Sequence, residues 1–119
     1  YISGVLFAQG EANTYTQASA DGWNALALAF ARDIRTDAGN IAVPFLYAQL
    51  GADPQLPTHP YWTYLQTLQA TLQNPAVYPY IRMVKTSDLP TNQQHFANAE
   101  TYAILGRRFA SVYYENFGQ

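Results

Sequence analysis

The chain lacks cysteine and carries few charges of either sign. Without cysteine it has no disulfide, no thiolate metal ligand and no cysteine nucleophile. Charged residues make up 12% of the 119 residues, and six basic against eight acidic side chains give a net charge of -2. This balance provides no basic field for phosphates, so we expect no nucleic acid partner. No apolar run approaches the roughly 20 residues that a membrane span needs, so we predict no membrane span.

Lysine is also rare, since Lys85 is the single lysine in a chain with ten tyrosines. Hydrophobic residues make up 49% of the chain and aromatic residues 15%. Such a composition is typical of a folded chain, and the length fits one domain. A surface with so little charge suggests that another segment covers one face. The chain opens on Tyr1 without a signal peptide, and we interpret it as part of something longer. The compartment stays undetermined, although few lysines and no cysteine are slightly more typical of an extracytoplasmic setting.

Apolar runs and helical stripes alternate along the chain. The pattern predicts strands at 2–8, 41–50 and 77–85, and helices at 21–36, 58–73 and 97–117. Strands that alternate with helices form parallel sheets with right-handed crossovers. We therefore predict an α/β fold with a parallel sheet of about three strands and three helices. Such sheets are normally larger and covered on both faces, so the architecture also indicates part of a larger domain.

Polar residues collect where each predicted strand ends. In open α/β sheets ligands bind beyond the carboxyl ends of the strands, which here are 9–11, 49–51 and 87–88. After the first strand come Gln9, Gly10, Glu11 and Asn13. The glycine permits a tight turn, and amide donors fixed at a strand end stabilise a developing oxyanion. The alternative is an ordinary strand-ending turn with polar side chains.

His95 is the main candidate for a general base. It lies in a polar stretch before the last helix, with Asp88 seven residues and Asn92 three residues upstream. Asp88 is the candidate to orient the imidazole, and the alternative is a surface or helix-capping histidine. His59 adjoins Pro60 and no nucleophile, so we expect a structural or surface role.

The sequence indicates no metal site and no cofactor. The two histidines are far apart, and no carboxylates cluster at short spacing. No glycine-rich phosphate loop is present. Aromatic residues at helical spacing are expected in the core, and Arg107 and Arg108 on a solvated helix face or paired with Glu100 or Glu115.

Four segments together resemble one superfamily, the SGNH/GDSL hydrolases, and in it the sialate O-acetylesterase and acetylxylan-esterase-like branch. The segment 5–13 (VLFAQGEAN) is similar to the third conserved block of this branch, aromatic-x-Gln-Gly-Glu-Ser-Asp. The segment 45–50 (FLYAQL) resembles a strand ending in Gln-Leu, and 61–69 the helix that follows it. Asp88-Leu89, His95-Phe96 and 105–110 (LGRRFA) resemble the last block.

The resemblance implies a doubly wound, flavodoxin-like, three-layer sheet and a serine nucleophile in an amino-terminal block that this sequence does not contain. Residues 1–119 would then be the carboxyl-terminal half of the domain. By this resemblance His95 matches the catalytic base, and Gln9 or Asn13 the oxyanion donor, with Gln9 preferred. Gly10 would permit close approach, and Glu11 would brace the loop.

Two positions depart from the family pattern. The acid usually lies three residues before the histidine, where this chain has Asn92. An amide does not stabilise an imidazolium as a carboxylate does, so Asp88 would have to substitute by folding back. Ala12 replaces the more usual serine.

The sequence therefore predicts the carboxyl-terminal portion of a serine ester hydrolase acting on acetylated carbohydrate. Its expected partners are the amino-terminal half of the same domain and a small ester. The alternative is a non-catalytic α/β structural or interaction module that pairs its open sheet edge with another chain. A carbohydrate-binding remnant using Tyr61, Trp62 and Tyr64 is a poorer alternative, because their helical spacing favours the core.

Overall fold

The computed structural model describes residues 1–118 as a small α/β unit. Two short 3-10 turns, Glu11–Thr14 and Ala70–Gln73, accompany the regular elements. The strands and helices follow in the order β1 (Val5–Phe7), α1 (Gln17–Asp21), α2 (Trp23–Ala38), β2 (Phe45–Ala48), α3 (Trp62–Gln69), β3 (Ile81–Val84), β4 (Thr91–Asn92), β5 (His95–Phe96) and α4 (Ala99–Phe117).

The main sheet is parallel, with the strand order β1-β2-β3. Leu6 pairs with Leu46, which pairs with Arg82, and the neighbouring row joins Phe7, Tyr47 and Met83. Because side chains alternate between the two faces of a strand, these rows point to opposite sides. The predicted three-stranded parallel sheet is confirmed.

Helices cover both faces of this sheet. On one side α2 and α3 pack Trp23, Trp62 and Leu65 against Phe45 and Tyr47. On the other side α4 contributes Leu105 and Phe109, which pack against Leu46, Ala48 and Val84. All four residues of β2 are buried, as expected for a central strand between two helical layers. The three long helices are those that the sequence predicts, and α1 is an additional helix of five residues.

Helix boundaries follow local capping chemistry. The Asn98 side chain accepts from the Thr101 amide, so α4 begins at Ala99 rather than at residue 97. Gly39, at φ 66°, ends α2 as the sequence predicts. The helix predicted to begin at residue 58 begins at Trp62 instead, without a side-chain cap, and the Thr58 hydroxyl contacts His59.

The polar stretch before the last helix contains a small hairpin. Strands β4 and β5 pair antiparallel, with Asn92 opposite His95. Two-residue hairpin loops are usually marked by Asn-Gly or Asp-Gly, whereas this one is Gln93-Gln94 with Gln93 at φ 57°. The sequence therefore lacks the signal that would have revealed the hairpin.

The outer edge of β1 has no neighbouring strand within residues 1–118. Leu6 points to the same face as α4 yet remains 63% exposed. Between β1 and α4 lies an open groove of about 380 Å³, lined by Ser3, Gly4, Leu6, Gly106, Phe109, Ala110, Tyr113 and Tyr114. No helix among the described residues is both long and apolar enough to cross a membrane.

Gly51 lies directly beneath the hairpin, which leads to a first prediction. A β-carbon at Gly51 would lie 2.7 Å from Thr91 Cγ2 and 2.9 Å from a ring carbon of Phe96. Gly51→Ala should lower the free energy of unfolding by about 1–3 kcal/mol through overpacking, measured by urea denaturation.

Gly106→Ala on α4 is the matched control, because a β-carbon there would meet no side chain or distant backbone atom of residues 1–118 within 4 Å. Replacing a helical glycine by alanine should raise stability by about 0.5–1 kcal/mol. Equal effects of the two substitutions would contradict the packing argument.

Candidate functional site

The carboxyl ends of the three parallel strands lie beside the hairpin that carries His95. Gly51, just after β2, packs against Thr91 and Phe96 of the hairpin. The Ala52 amide donates to the Leu89 carbonyl at 2.8 Å, which joins the ends of β2 and β3. The candidate residues at 9–13 and 95 therefore occupy the same edge of the sheet.

The loop after β1 holds Gln9 by hydrogen bonds on both sides of its amide. Gln9 Nε2 donates to Asn13 Oδ1 at 2.9 Å, and Trp23 Nε1 donates to the Gln9 carbonyl and to Oε1, both at 3.1 Å. Asn13 is buried, and its Nδ2 donates to the Ser19 carbonyl at 3.1 Å. Gln9 remains exposed. Of the two candidate donors, Gln9 is therefore the one that a ligand can reach, and Asn13 orients it.

Gly10 allows this loop to lie close to the interior. Its φ of 147° is rarely adopted by other residues, and a β-carbon would lie 3.1 Å from Trp23 Nε1 and 3.2 Å from Gln69 Nε2. Glu11 opens the 3-10 turn, where its carbonyl accepts from Thr14 Oγ1 at 2.7 Å. The backbone of Glu11, rather than its carboxylate, provides the bracing seen here.

Gln69, at the end of α3, is a residue of this edge that the sequence pattern does not mark as a candidate. It is completely buried, and its Oε1 accepts from the Leu50 amide at 2.9 Å. Its Nε2 faces Gly10 and has no hydrogen-bond partner in residues 1–118. Gln69 thus contacts the ends of both β1 and β2. The sequence feature that could have indicated this role is a glutamine on an otherwise apolar face of the helix.

His95 lies on β5 with its side chain exposed. Its cross-strand partner is Asn92, so the two side chains project from the same face of the hairpin with Cβ atoms about 4.5–5.5 Å apart. The turn residue Gln93 adopts φ 57°, which costs energy outside glycine. The hairpin therefore presents an accessible imidazole beside an amide.

Asp88 is engaged elsewhere. Its Oδ1 and Oδ2 accept from Arg108 Nη1 at 2.7 Å and Nη2 at 2.8 Å, and neither bond involves His95. These hydrogen bonds hold the pKa of Asp88 below its ordinary value and raise the pKa of Arg108. The structure therefore does not bring Asp88 to His95 as a supporting acid. Of the two alternatives for Arg107 and Arg108, the solvated helix face describes Arg107, which is exposed, whereas Arg108 pairs with Asp88 and not with Glu100 or Glu115.

His59 is buried, and it links the proline-rich loop (residues 51–60) to the hairpin. Its Nδ1 lies 2.8 Å from Thr58 Oγ1 and its Nε2 lies 2.9 Å from Gln94 Oε1. Its ring packs against that of Tyr15, with centroids 4.6 Å apart and the ring planes tilted by 39°, and Tyr15 directly follows the loop that carries Gln9. His59 is structural, as the sequence predicts, and it also connects the surroundings of Gln9 to those of His95.

A cleft opens between the proline-rich loop and the turn of the hairpin. Its volume is about 440 Å³, and its walls are formed by Leu56, Thr58, His59, Gln93, Gln94 and His95. This volume lies in the usual range of about 300–1,000 Å³ for small-molecule sites. Within residues 1–118, no three histidine, aspartate or glutamate side chains are arranged to hold a metal ion.

Comparison with known proteins identifies the family. The profile described as carbohydrate esterase, sialic acid-specific acetylesterase, matches residues 1–115. The chain belongs to this family. The match confirms the resemblance to the sialate O-acetylesterase branch that the motifs indicated. No curated protein matches the chain.

Two solved structures illustrate the fold that this chain shares with known proteins. A protein from Arabidopsis thaliana is 19% identical with a TM-score of 0.82, and the alignment covers 98% of this chain and 46% of that one. A carbohydrate acetylesterase from Xanthomonas citri is 22% identical with a TM-score of 0.69, covering 100% of this chain and 27% of that one. The chain thus spans less than half the length of either structure.

The Asp88–Arg108 pair predicts a pH-dependent stability. A carboxyl group whose pKa is lowered by folding stabilises the fold above its unfolded pKa, near 3.8, and this contribution is lost as the pH falls through the folded pKa. Both side chains are partly exposed, so Asp88→Asn should cost at most about 1 kcal/mol at neutral pH. Urea denaturation from pH 7 into the acid range should show the difference shrinking.

Asp33→Asn is the control, because Asp33 and Arg32 are 3.6 Å apart and both more than 70% exposed. Its effect should be close to zero throughout. A difference between wild type and Asp88→Asn that persists unchanged at the most acidic pH would contradict the assignment.

Proposed function

We propose that this chain is the carboxyl-terminal portion of a serine ester hydrolase that acts on acetylated carbohydrate. Its contributions are His95 as the catalytic base and Gln9 as an oxyanion donor. The observation that carries the proposal is the family match over residues 1–115, together with the exposure of both side chains at one edge of the sheet.

The chemistry is a two-step acyl transfer. A serine from the amino-terminal half attacks the acetyl carbonyl while His95 accepts the hydroxyl proton. The carbonyl oxygen gains negative charge and receives a hydrogen bond from the Gln9 amide. When the tetrahedral intermediate collapses, His95 returns the proton to the departing sugar oxygen. Water then hydrolyses the acetyl-enzyme with His95 again as base.

The uncovered side of β1 supports the assignment of residues 1–119 to half of a domain. Leu6 is 63% exposed, the outer edge of β1 has no pairing strand among residues 1–118, and the groove between β1 and α4 is apolar. A doubly wound sheet needs a strand at such an edge and a helix over such a face. An amino-terminal half that adds both would bury Leu6 and bring its serine to the strand ends near Gln9.

A specific observation favours the alternative of a non-catalytic module. The one carboxylate proposed to support His95, that of Asp88, is bonded to Arg108 instead, and Asn92 is the residue across from His95. Without a carboxylate the imidazolium is poorly stabilised. Under this alternative the chain keeps the family fold and an open sheet edge that can pair with another chain, but it does not catalyse ester hydrolysis.

His95→Ala in the complete protein decides between the two. If His95 is the base, the rate of para-nitrophenyl acetate hydrolysis should fall at least about a thousandfold. The unfolding midpoint should change little, because the side chain is exposed. Turnover that survives the substitution would contradict the catalytic role.

Asn92→Asp is the companion variant, because residue 92 lies opposite His95. A carboxylate there should raise kcat at least about tenfold if an active esterase lacks its supporting acid. No activity in either wild type or Asn92→Asp would favour the non-catalytic module.

The proposed docking of the amino-terminal half makes Leu6 a test residue. Leu6→Asp should destabilise the complete protein by about 2 kcal/mol or more, because a charge would enter a buried interface. Leu26→Asp on α2 is the matched control, since Leu26 is 62% exposed and should tolerate the change. Urea denaturation of both variants gives the comparison, and equal effects would contradict docking on β1.

A further inference from the structure

A continuous chain of hydrogen bonds passes through the loop after β1. Trp23 Nε1 donates to Gln9 Oε1 at 3.1 Å, and Gln9 Nε2 donates to Asn13 Oδ1 at 2.9 Å. Asn13 Nδ2 then donates to the Ser19 carbonyl at 3.1 Å. Each of the two carboxamides in the middle has one donating and one accepting end, so a carboxamide by itself has no preferred direction. The groups at the two ends of the chain of bonds therefore decide which way both carboxamides face.

Both of these end groups have a single possible role. An indole N–H only donates, and a backbone carbonyl only accepts. If the Gln9 amide were turned over, its NH2 group would face the indole N–H, and two donors would meet without an acceptor. The indole of Trp23 therefore requires Oε1 of Gln9 on its own side and leaves Nε2 to donate. Nε2 carries two hydrogens, so one bonds Asn13 and the second remains for the oxyanion.

The indole is held in place by the core. Trp23 is 1% exposed, and its ring packs against Tyr47 and Phe7 with centroids 5.5 and 6.4 Å apart. The same Nε1 also donates to the Gln9 carbonyl at 3.1 Å, so it holds the backbone and the side chain of Gln9 together. Gln9 itself is exposed, and a free glutamine side chain samples many rotamers. A donor that the core fixes beforehand needs no reorganisation when charge develops.

The residue next to Gln9 leaves room for the indole. A β-carbon at Gly10 would lie 3.1 Å from Trp23 Nε1, so a side chain there would press on the nitrogen that bonds Gln9. The backbone at Gly10 also adopts φ 147°, which L-residues rarely adopt. The glycine of the Gln-Gly-Glu segment is therefore explained by the same contact between the indole and the loop.

We propose that Trp23 is a positioning residue for the ester hydrolysis. Its indole N–H turns the Gln9 carboxamide so that Nε2, rather than Oε1, faces the oxyanion. With Oε1 in that place, the partial negative charge of a carbonyl would repel the developing negative charge and raise the barrier. The inference rests on the proposed function, because it takes Gln9 as the oxyanion donor.

Trp23→Phe in the complete protein removes the N–H and keeps an aromatic ring in the core. The value of kcat for para-nitrophenyl acetate should fall at least about tenfold while KM stays within about twofold, because the oxyanion bond forms only in the transition state. Tyr47→Phe is the matched control, since it removes a donor from the neighbouring buried ring, whose hydroxyl bonds the Gln69 carbonyl. This control should keep kcat within about twofold of wild type.

A double variant separates positioning from a general weakening of the fold. Gln9→Met removes the carboxamide, so it should lower kcat by at least as much as Trp23→Phe. If Trp23 acts through Gln9, adding Trp23→Phe to Gln9→Met should lower kcat no further, whereas independent effects would multiply. An undiminished kcat in Trp23→Phe, or a multiplied loss in the double variant, would overturn the inference and leave the proposed function in place.

Nitrogen-15 relaxation of the Gln9 side chain tests the positioning without relying on activity. The Gln9 Nε2 signal is the one absent from Gln9→Met. Its order parameter should be about 0.8 or higher in wild type, as in a rigid backbone, and should fall in Trp23→Phe but not in Tyr47→Phe. A wild-type value below about 0.6, or no fall in Trp23→Phe, contradicts the inference. If wild type hydrolyses no ester, the proposed function fails, and the relaxation measurements alone decide whether Trp23 holds Gln9.

Discussion

The structure depends on the hydrogen bonds that the backbone makes at the buried end of β2. Leu50 and Gly51 leave the sheet while still buried, so their backbone groups need partners other than water. Side chains of α3 provide them. Gln69 Oε1 accepts from the Leu50 amide at 2.9 Å, while Trp62 Nε1 and Gln66 Nε2 donate to the Gly51 carbonyl at 2.9 and 2.6 Å. These three residues recur at helical spacing, so one face of α3 fixes the central strand end around which the site is built.

The general architecture was accessible from sequence because it follows from periodicity. The apolar run of β2 and the stripe through Trp62, Leu65 and Gln69 have the spacings of a strand and a helix. The sheet edge that gathers the candidate residues then follows from parallel topology alone. The predicted ends of the strands were less accurate. The strands end where backbone pairing with the neighbouring strand ends, at Val5–Phe7 and Ile81–Val84. Apolar residues continue beyond these ends, so the sequence predicts longer strands.

The details of the site were less accessible, because they depend on pairs that meet only in three dimensions. Asp88 and Arg108 are brought together by the packing of α4 on β3, and nothing in their spacing marks them. The same is true of His59 and Gln94. The motif resemblance named Gln9 and His95 as candidates, and the family match supports that resemblance. The residue opposite His95 is Asn92, on which the proposed chemistry depends.

The parallel pairing described for the main sheet also has a consequence for how the protein folds. Val5 pairs with Phe45, and Phe45 with Ile81, so each strand pair closes only after a whole crossover helix has been placed. Forming contacts between residues this distant in sequence requires loop closure, which lowers the entropy of the chain before the contacts stabilise the fold. Folding is therefore slow. The hairpin that carries His95 pairs residues close in sequence, but it comes to lie beside Gln9 and Gly51 only when the parallel strands have paired. A mutation that delays this pairing would therefore delay the assembly of the edge.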